Sequence, residues 1–385
     1  MDTFELPPLV EPGDDLTSVD VERHTRQMII PELGVTGQAR LRAARVAIVG
    51  AGGLGSPVIQ YLTAAGIGHI RIIDDDVVEM SNLHRQIIHG EKHVGWPKSE
   101  SAAETVRFLD SSVGVIPVQV RFSMDNAETL LGGADVVVDA SDNFETRYAI
   151  SDACAQFGIP VVWGAVLGLD AQVSTFWSAP PESSGAPALT LRDLFPEPPA
   201  AGTVPTGRQA GVIGAVCGMT GSMMAMEAIK LICGFGTTLL GRVAVVDAFA
   251  GEQSVIELAP VSPGTAAAKK VVAPEPPNPE VEIGIDELAA MVDGQRAPRI
   301  LDVRPAVDRA RGWIPGSESL PFTDLPARLD ELAEYPAPLV VYCQAQVLSR
   351  LAREMLTSRR DDVRELSGGF VAWRASGAPI EAYGL

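Results

Sequence analysis

Val46-Ala47-Ile48-Val49-Gly50-Ala51-Gly52-Gly53-Leu54-Gly55 decides the fold. A run of β-favouring residues enters a glycine-rich turn, and an apolar helical stretch leaves it, from Leu54 to Ala65. Gly50, Gly52 and Gly55 fit the spacing GxGxxG, with Gly53 beside them. Missing side chains let the backbone close on a phosphate, and the N–H groups that open a helix face it. The next strand, Ile70 to Ile73, ends at Asp74, where a carboxylate can accept hydrogen bonds from a ribose. Outward from there, strands at 115–120, 136–139 and 161–163 alternate with helices at 99–109 and 145–157. That alternation predicts an α/β fold, a Rossmann-like doubly wound sheet that is mainly parallel. Later strands at 172–177, 243–247 and 254–258 read as antiparallel partners. A glycine turn and an acidic strand end suit NAD as well as ATP.

The chain has 385 residues, which at roughly 100–200 per domain predicts two or three domains. Its apolar content excludes wholesale disorder. A net charge of −19 argues against nucleic acid or an anionic membrane as a partner. Residues 1–20 are acidic and lack the basic start and apolar core of a signal peptide, so they read as a flexible arm. No apolar run reaches about 18 residues free of charge or turn-formers, so no membrane span is expected, and the cytoplasm is the default compartment. The segment 178–211 has few apolar residues and reads as a functional lid or a disordered segment, followed by a buried small-residue helix at 211–231. Residues 262–279, with Pro274-Glu275-Pro276-Pro277, read as a linker. Strands at 300–303, 339–342 and 363–366 then restart the alternation. The expected division is an arm at 1–20, a domain at 21–261, a linker, and a second α/β domain at 280–385.

Ser81-Asn82-Leu83-His84-Arg85-Gln86 follows the acidic strand end, and Lys98 and Asp142 come later. Arg85 and Lys98 supply cations, and Asp142 supplies a hard oxygen for Mg²⁺. A pyridine dinucleotide needs no metal, whereas a triphosphate under attack needs its leaving pyrophosphate neutralised. With these residues the chain resembles the MoeB/ThiF family of ubiquitin-activating-like adenylyltransferases. The resemblance rests on Thr25-Arg26-Gln27, the glycine turn, Asp74 to Gln86, Gly95 to Lys98, Asp139 to Arg147, Leu194 to Pro199 and Glu227 to Lys230, and covers about residues 20–260. It implies a homodimer that binds ATP·Mg²⁺ and adenylates the C-terminal glycine of a small ubiquitin-like sulfur carrier ending in Gly-Gly. By family position Asp74 holds the ribose, Asn82, Arg85 and Lys98 handle phosphates, and Asp142 binds Mg²⁺. Arg26 is then the arginine that reaches into the partner subunit's site.

The chain departs from that family at two places. Many relatives bind structural zinc through two CxxC pairs. Here the first pair falls on Thr190 and Asp193, and no cysteine lies between Cys233 and Cys343, so no structural zinc is expected. Many relatives also carry a loop cysteine where this chain reads Val204-Pro205-Thr206-Gly207. Cys154, Cys217 and Cys233 read as packing cysteines.

Leu301-Asp302-Val303-Arg304, Trp313-Ile314-Pro315-Gly316, Tyr342-Cys343 and Gly368 to Trp373 resemble the landmarks of a rhodanese domain. Cys343 falls at its catalytic position, between a strand and the helix 347–358, where backbone N–H groups can stabilise a thiolate or persulfide. Gln346 replaces the usual glycine of the loop and Leu348 its usual basic residue. The resemblance implies sulfur transfer from a Cys343 persulfide to the activated carrier, with a cysteine desulfurase or similar protein as donor. The carrier's pathway (molybdopterin, thiamine, cysteine or a secondary metabolite) stays open. Two alternatives stand beside this reading. One is an adenylyltransferase whose degenerate rhodanese domain only docks a partner. The other is an NAD-dependent oxidoreductase, which leaves Arg85, Lys98 and Asp142 without a job.

Overall fold

The computed structural model of the chain describes residues 5–198, 211–258, 281–292, 298–310, 312–344 and 347–382. The loop residues 204–207, the linker at 262–279 and Gln346 lie outside the described residues. The chain separates into two compact units, residues 1–200 with 211–266, and the remainder from 267 onward with 201–210.

The first unit is built on an eight-stranded sheet in the order β3-β2-β1-β4-β5-β6-β7-β8. The strands are β1 (Arg45–Val49), β2 (His69–Ile73), β3 (Gly114–Val118), β4 (Val136–Asp139), β5 (Val161–Leu167), β6 (Asp170–Phe176), β7 (Arg242–Asp247) and β8 (Glu252–Glu257). Strands β3 to β5 pair in parallel and β5 to β8 antiparallel. Valine and isoleucine fill β1 and β4, which are buried on both faces as parallel strands under helices must be. Strand β5 runs past Trp163 to Leu167 because a hairpin partner, β6, sustains it over seven register pairs.

Caps fix the helices that frame the crevice. Thr17 and Asp20 form a capping box at the start of Ser18–Met28. The Asn143 side chain accepts the Thr146 N–H at 2.9 Å and opens Phe144–Phe157. The helix Gly214–Cys233 has 20 residues and enough apolar character to cross a membrane, but its length is spent inside the unit. Met224, Ala228 and Ile232 are fully buried in it, and it packs on the helix Gly55–Ala64. Gly221 allows that close crossing, since a Cβ there would stand 2.6 Å from the Leu54 carbonyl oxygen.

The N-terminal arm does not hang free along its whole length. The Leu9 N–H donates to the Leu231 carbonyl at 3.1 Å, Val10 is buried, and Leu6 and Leu9 pack on the core. The apolar residues among the acidic ones drive that contact.

The second unit holds a five-stranded, all-parallel sheet in the order β11-β10-β12-β13-β9. Its strands are β9 (Glu282–Ile283), β10 (Arg299–Asp302), β11 (Glu318–Ser319), β12 (Leu339–Tyr342) and β13 (Val363–Leu366). Strand β12 lies at the centre and is buried along its length.

Glu227, within the family-like stretch Glu227–Lys230, proves to be framework. Its buried carboxylate accepts the Leu239 N–H at 2.6 Å, the Lys230 ammonium at 2.6 Å and the Thr175 hydroxyl at 3.3 Å. Glu227→Ala strands these donors in the interior and is expected to destabilise the first unit by about 3 kcal/mol. Urea unfolding of the variant checks this, and a loss below about 1 kcal/mol would show the contacts to be dispensable.

Candidate active site

Strand β1 lies between β2 and β4, and the chain order reverses across it, which opens a crevice at the strands' C-terminal ends. The glycine turn fills the floor of that crevice. Gly50 has φ 100°, and a Cβ there would stand 2.6 Å from the Ala140 carbonyl oxygen at the end of β4. A Cβ at Gly55 would stand 1.9 Å from the Gly50 carbonyl oxygen, so any side chain at either position would prise the turn open. Gly52 is different, because its nearest neighbour is Gln86 Nε2 at 3.6 Å and its face is left for a ligand. Gly53 packs on Cys217, whose sulfur would lie 2.9 Å from an added Cβ. Cys217 is buried as expected, but its packing partner is the nucleotide turn itself.

Ala51, the residue after Gly50, is clamped through both its N–H and its carbonyl. Asp74 accepts the Ala51 N–H at 2.7 Å through one oxygen and the Asp76 N–H at 2.9 Å through the other. On the far side, His89 Nε2 bonds the Ala51 carbonyl at 2.9 Å, and its Nδ1 meets the Ser101 hydroxyl at 2.8 Å. A carbonyl only accepts, so Nε2 carries the proton and Nδ1 accepts from Ser101. Burial pushes the His89 pKa down to about 4, and the charges of Lys98 and His93 act in the same direction. Burial also pushes the Asp74 carboxyl up, against the pull of Lys98.

Lys98 opens the helix Lys98–Leu109, is buried, and pairs with Asp76 at 2.7 Å. Asn82 is buried and accepts the Glu79 N–H at 3.1 Å, which folds the short 3-10 turn Met80–Asn82. Arg85 is half-exposed and donates to the Ser81 carbonyl at 3.0 Å and to His84 Nε2 at 2.7 Å. Gln86 Oε1 is buried with no partner among the described residues, an acceptor left open beside Gly52. Asp139 is buried and occupied by the Ser141 N–H and hydroxyl at 3.0 and 2.6 Å, whereas Asp142 is exposed. Arg147 sits behind them, donates to the Ser141 carbonyl at 3.0 Å and lies over the Trp163 ring.

These residues fit a nucleoside triphosphate with Mg²⁺. The glycine cradle admits phosphate, Asp74 and Gln86 offer acceptors to a ribose or base, and Arg85 and Lys98 are the cations. No cluster of three metal-ligating side chains occurs among the described residues. Asp142 would therefore supply one oxygen, with phosphates and water supplying the others, the usual arrangement for Mg²⁺.

Arg26 is exposed in the last turn of Ser18–Met28 and makes no hydrogen bond or ion pair among the described residues. Val19, Val21, Ile29 and Ile30 beside it are exposed as well. Thr190 and Asp193, at the zinc-pair positions, close a capping box in which Asp193 accepts the Thr190 N–H at 2.8 Å and its hydroxyl at 3.1 Å.

In the second unit Cys343 follows β12 directly and is buried. Its carbonyl accepts the Phe370 N–H at 2.8 Å, and that of Gln344 accepts the Val371 N–H at 3.1 Å. The family-like stretches around it are framework. Asp302, fully buried, pairs with Arg304 at 2.7 Å and Arg309 at 3.0 Å and accepts the Tyr342 hydroxyl at 2.7 Å. Arg304 also reaches the Gln344 side chain at 3.3 Å and so steadies the residue after Cys343. Leu348 packs on the apolar cluster that includes Cys343. It is a packing residue, so an arginine there would press a charge into apolar surroundings. The Cys343 sulfur lies 3.5 Å from Ser349 Oγ, which in turn lies 3.3 Å from Glu365 Oε2.

The sequence reading did not single out His89, Ser349 or Glu365. His89 carries no local signal, because its partner is a backbone carbonyl 38 positions away. Glu365 did carry one, since it shares the inward face of β13 with Val363, where a charge is out of place.

Residues 24–265 match the ThiF family and residues 285–376 the rhodanese-like domain. The probable adenylyltransferase/sulfurtransferase MoeZ of Mycobacterium tuberculosis is 39% identical over 382 residues, which span 96% of each chain. The adenylyltransferase and sulfurtransferase MOCS3 of Bos taurus is 34% identical over 94% of this chain and 88% of its own. The SAMP-activating enzyme E1 of Haloferax volcanii is 46% identical over 60% of this chain and 83% of its own. Among solved structures, E. coli MccB superimposes with a TM-score of 0.55 at 19% identity over 70% of this chain and 78% of its own, a likeness of fold.

The clamp on Ala51 makes a pH prediction. An unfolded histidine titrates near 6.5 and the buried His89 near 4, so as pH falls the unfolded chain takes up this proton first. His89 is therefore expected to leave stability intact above about pH 6.5 and to withdraw up to about 3 kcal/mol by pH 4. His89→Gln should flatten that part of the profile in urea unfolding at the two pH values. An unchanged slope would mean that His89 is not buried neutral.

Proposed function

We propose, because this chain belongs to the ThiF family and ends in a rhodanese-like domain, that it is an adenylyltransferase and sulfurtransferase that activates a small ubiquitin-like sulfur carrier. The observation that carries this reading is the pairing of phosphate-side cations, Arg85 and Lys98, with a clamped glycine turn, in a chain that also places Cys343 at a central strand end. An oxidoreductase has no use for these cations or for Cys343. MoeZ and MOCS3, which match nearly the whole chain, carry both activities in their names.

The carrier's C-terminal carboxylate attacks the α-phosphorus of ATP, and pyrophosphate leaves. Two anions approach each other in that step, so Arg85 and Lys98 stabilise it by neutralising charge on the phosphates. Asp74 orients the ribose, and Asp142 would hold Mg²⁺, which when bound would offset charge on the pyrophosphate. The turn at Gly50 to Gly55 excludes water from the phosphates and sets their position. A persulfide on Cys343, received from a desulfurase or another persulfide donor, then attacks the carrier's acyl carbon through its outer sulfur and expels AMP. An external thiol attacks Cys343 Sγ in the resulting acyl disulfide, which frees the carrier thiocarboxylate, and a second thiol restores Cys343. Gly207 has no thiol to offer, and Cys217 is packed on Gly53 with burial pushing its thiol up.

We place Arg26 in the partner's crevice of a homodimer. The absence of a side-chain hydrogen bond or ion pair among the described residues and the apolar Val19, Val21, Ile29 and Ile30 around it support that position. Four free cysteines suit a reducing compartment, and we assign the cytoplasm. Leu348 favours one competing reading, a domain that docks a partner without moving sulfur, because it removes the loop's cation.

Carrier-dependent exchange of labelled pyrophosphate into ATP tests the first step. Asp142→Ala should abolish Mg²⁺-dependent exchange, and Arg85→Ala and Lys98→Ala should each slow it about 10²-fold, equivalent to about 3 kcal/mol. Near-normal exchange in the Asp142 variant would remove that residue from the metal site. Mixing Arg26→Ala with Lys98→Ala protein should restore part of the rate, because a mixed dimer holds one intact site. Absence of rescue despite proven subunit exchange would place Arg26 elsewhere.

The second step separates from the first. Cys343→Ala should retain pyrophosphate exchange and lose both thiosulfate:cyanide sulfur transfer and thiocarboxylate formation. Wild-type protein that adenylates a carrier yet forms no Cys343 persulfide with desulfurase and cysteine present would leave only the docking reading.

A further inference from the structure

The buried contacts behind Cys343 end on a carboxylate that the sulfur-transfer reading does not use. Glu365 is 2% exposed and Ser349 fully buried, and the two connect the Cys343 sulfur to an ionisable group without passing through solvent. The contacts have a direction. A carboxylate only accepts, so the Ser349 hydroxyl donates to Glu365 Oε2 at 3.3 Å. The serine oxygen is then left to accept the Cys343 S–H at 3.5 Å.

We propose that Glu365, acting through Ser349, is the proton acceptor that readies Cys343 for sulfur. This rests on the reading that Cys343 carries sulfur in transfer. The S–H bond breaks and its proton goes to Ser349 Oγ, while the original hydroxyl proton passes to Glu365 Oε2. The result is a thiolate, an unchanged serine and a neutral glutamic acid, with no proton released to water. The thiolate then attacks the outer sulfur of thiosulfate or of a persulfide donor. The donor's S–S bond breaks, and sulfite or the donor thiolate leaves with the electron pair. No oxidant or reductant is needed.

The surroundings of Glu365 suit that role. The charged groups that face it are Arg350 and Arg353, on the helix Val347–Thr357, and Glu282 on β9. The arginines approach the other oxygen, Oε1, at 3.7 and 4.0 Å and leave Oε2 to Ser349. Burial pushes the Glu365 carboxyl up and makes it a readier base, the arginines oppose this, and Glu282 reinforces it. The Glu282 carboxylate itself accepts the Ser367 hydroxyl at 2.8 Å. Leu348 gives the loop no cation to favour a thiolate by charge, and the buried relay supplies a route by proton transfer instead.

The relay and a purely electrostatic role predict opposite signs. A buried negative charge disfavours a nearby thiolate, so removing it would speed thiolate chemistry. Removing a proton acceptor slows it. The full-length protein is alkylated with iodoacetamide across a pH series, and the Cys343 peptide is quantified by mass spectrometry. Cys154, Cys217 and Cys233 belong to the other unit and read out on their own peptides. In the wild type the rate should fall with pH and then level off, because the internal proton shift does not depend on pH until Glu365 itself is protonated. In Glu365→Gln the plateau should vanish, with the rate falling about tenfold per pH unit and lying roughly tenfold or more below wild type at neutral pH. Ser349→Ala should lose the plateau as well, and Ser349→Thr, which keeps the hydroxyl, should retain it. A plateau that survives in both Glu365→Gln and Ser349→Ala, or faster alkylation of Glu365→Gln at every pH, overturns the proposal. Should the plateau be present while the wild type forms no Cys343 persulfide with desulfurase and cysteine supplied, the sulfur-transfer reading fails and the relay stands.

Discussion

Two hydrogen bonds to one residue, Ala51, hold the glycine turn of this protein in place. Asp74 takes the N–H of Ala51 and His89 bonds its carbonyl, so the chain leaving β1 cannot rotate about the glycines on either side. Those glycines need such a clamp. They permit the close approach to Ala140 and the sharp entry into the helix Gly55–Ala64, but left alone they would sample many conformations. Asp74 and His89 come from beyond β2 and from ahead of the helix Lys98–Leu109, so the turn is set only once these segments have assembled around it.

The two units handle negative charge in different ways. In the first, Arg85 is partly in solvent and the buried Lys98 is paired with the exposed Asp76. In the second, the strongest charges are already spent. Arg304 and Arg309 are committed to Asp302, and Arg304 also reaches Gln344, the residue after Cys343. A buried ion cluster of this kind specifies geometry more than it adds stability.

Much of this was legible in the chain. The limits of β4, β12 and β13 follow from short apolar runs bounded by turn residues, and the structure places them at the same residues. Strand β5 was read too short because its extension depends on pairing with β6, and no property of residues 164–167 reveals a partner. The arm was read as loose from its acidic composition, yet Leu9 and Val10 dock on the core, since a few apolar residues outweigh the average of a segment. At the site, candidate residues could be named from the sequence because phosphate chemistry restricts residue type and spacing. Their supports could not. His89 acts on a backbone carbonyl, and any side chain with a suitable N–H could in principle do so, which leaves no pattern in the sequence.

The capping box at Thr190 and Asp193 alters how one corner of the first unit answers to its surroundings. A corner built from thiolates depends on metal supply and is open to oxidation of the ligands. A hydroxyl and a carboxylate that close on a helix start do neither. At these two positions peroxide finds no thiolate to oxidise, and the helix start is closed by its own hydroxyl and carboxylate.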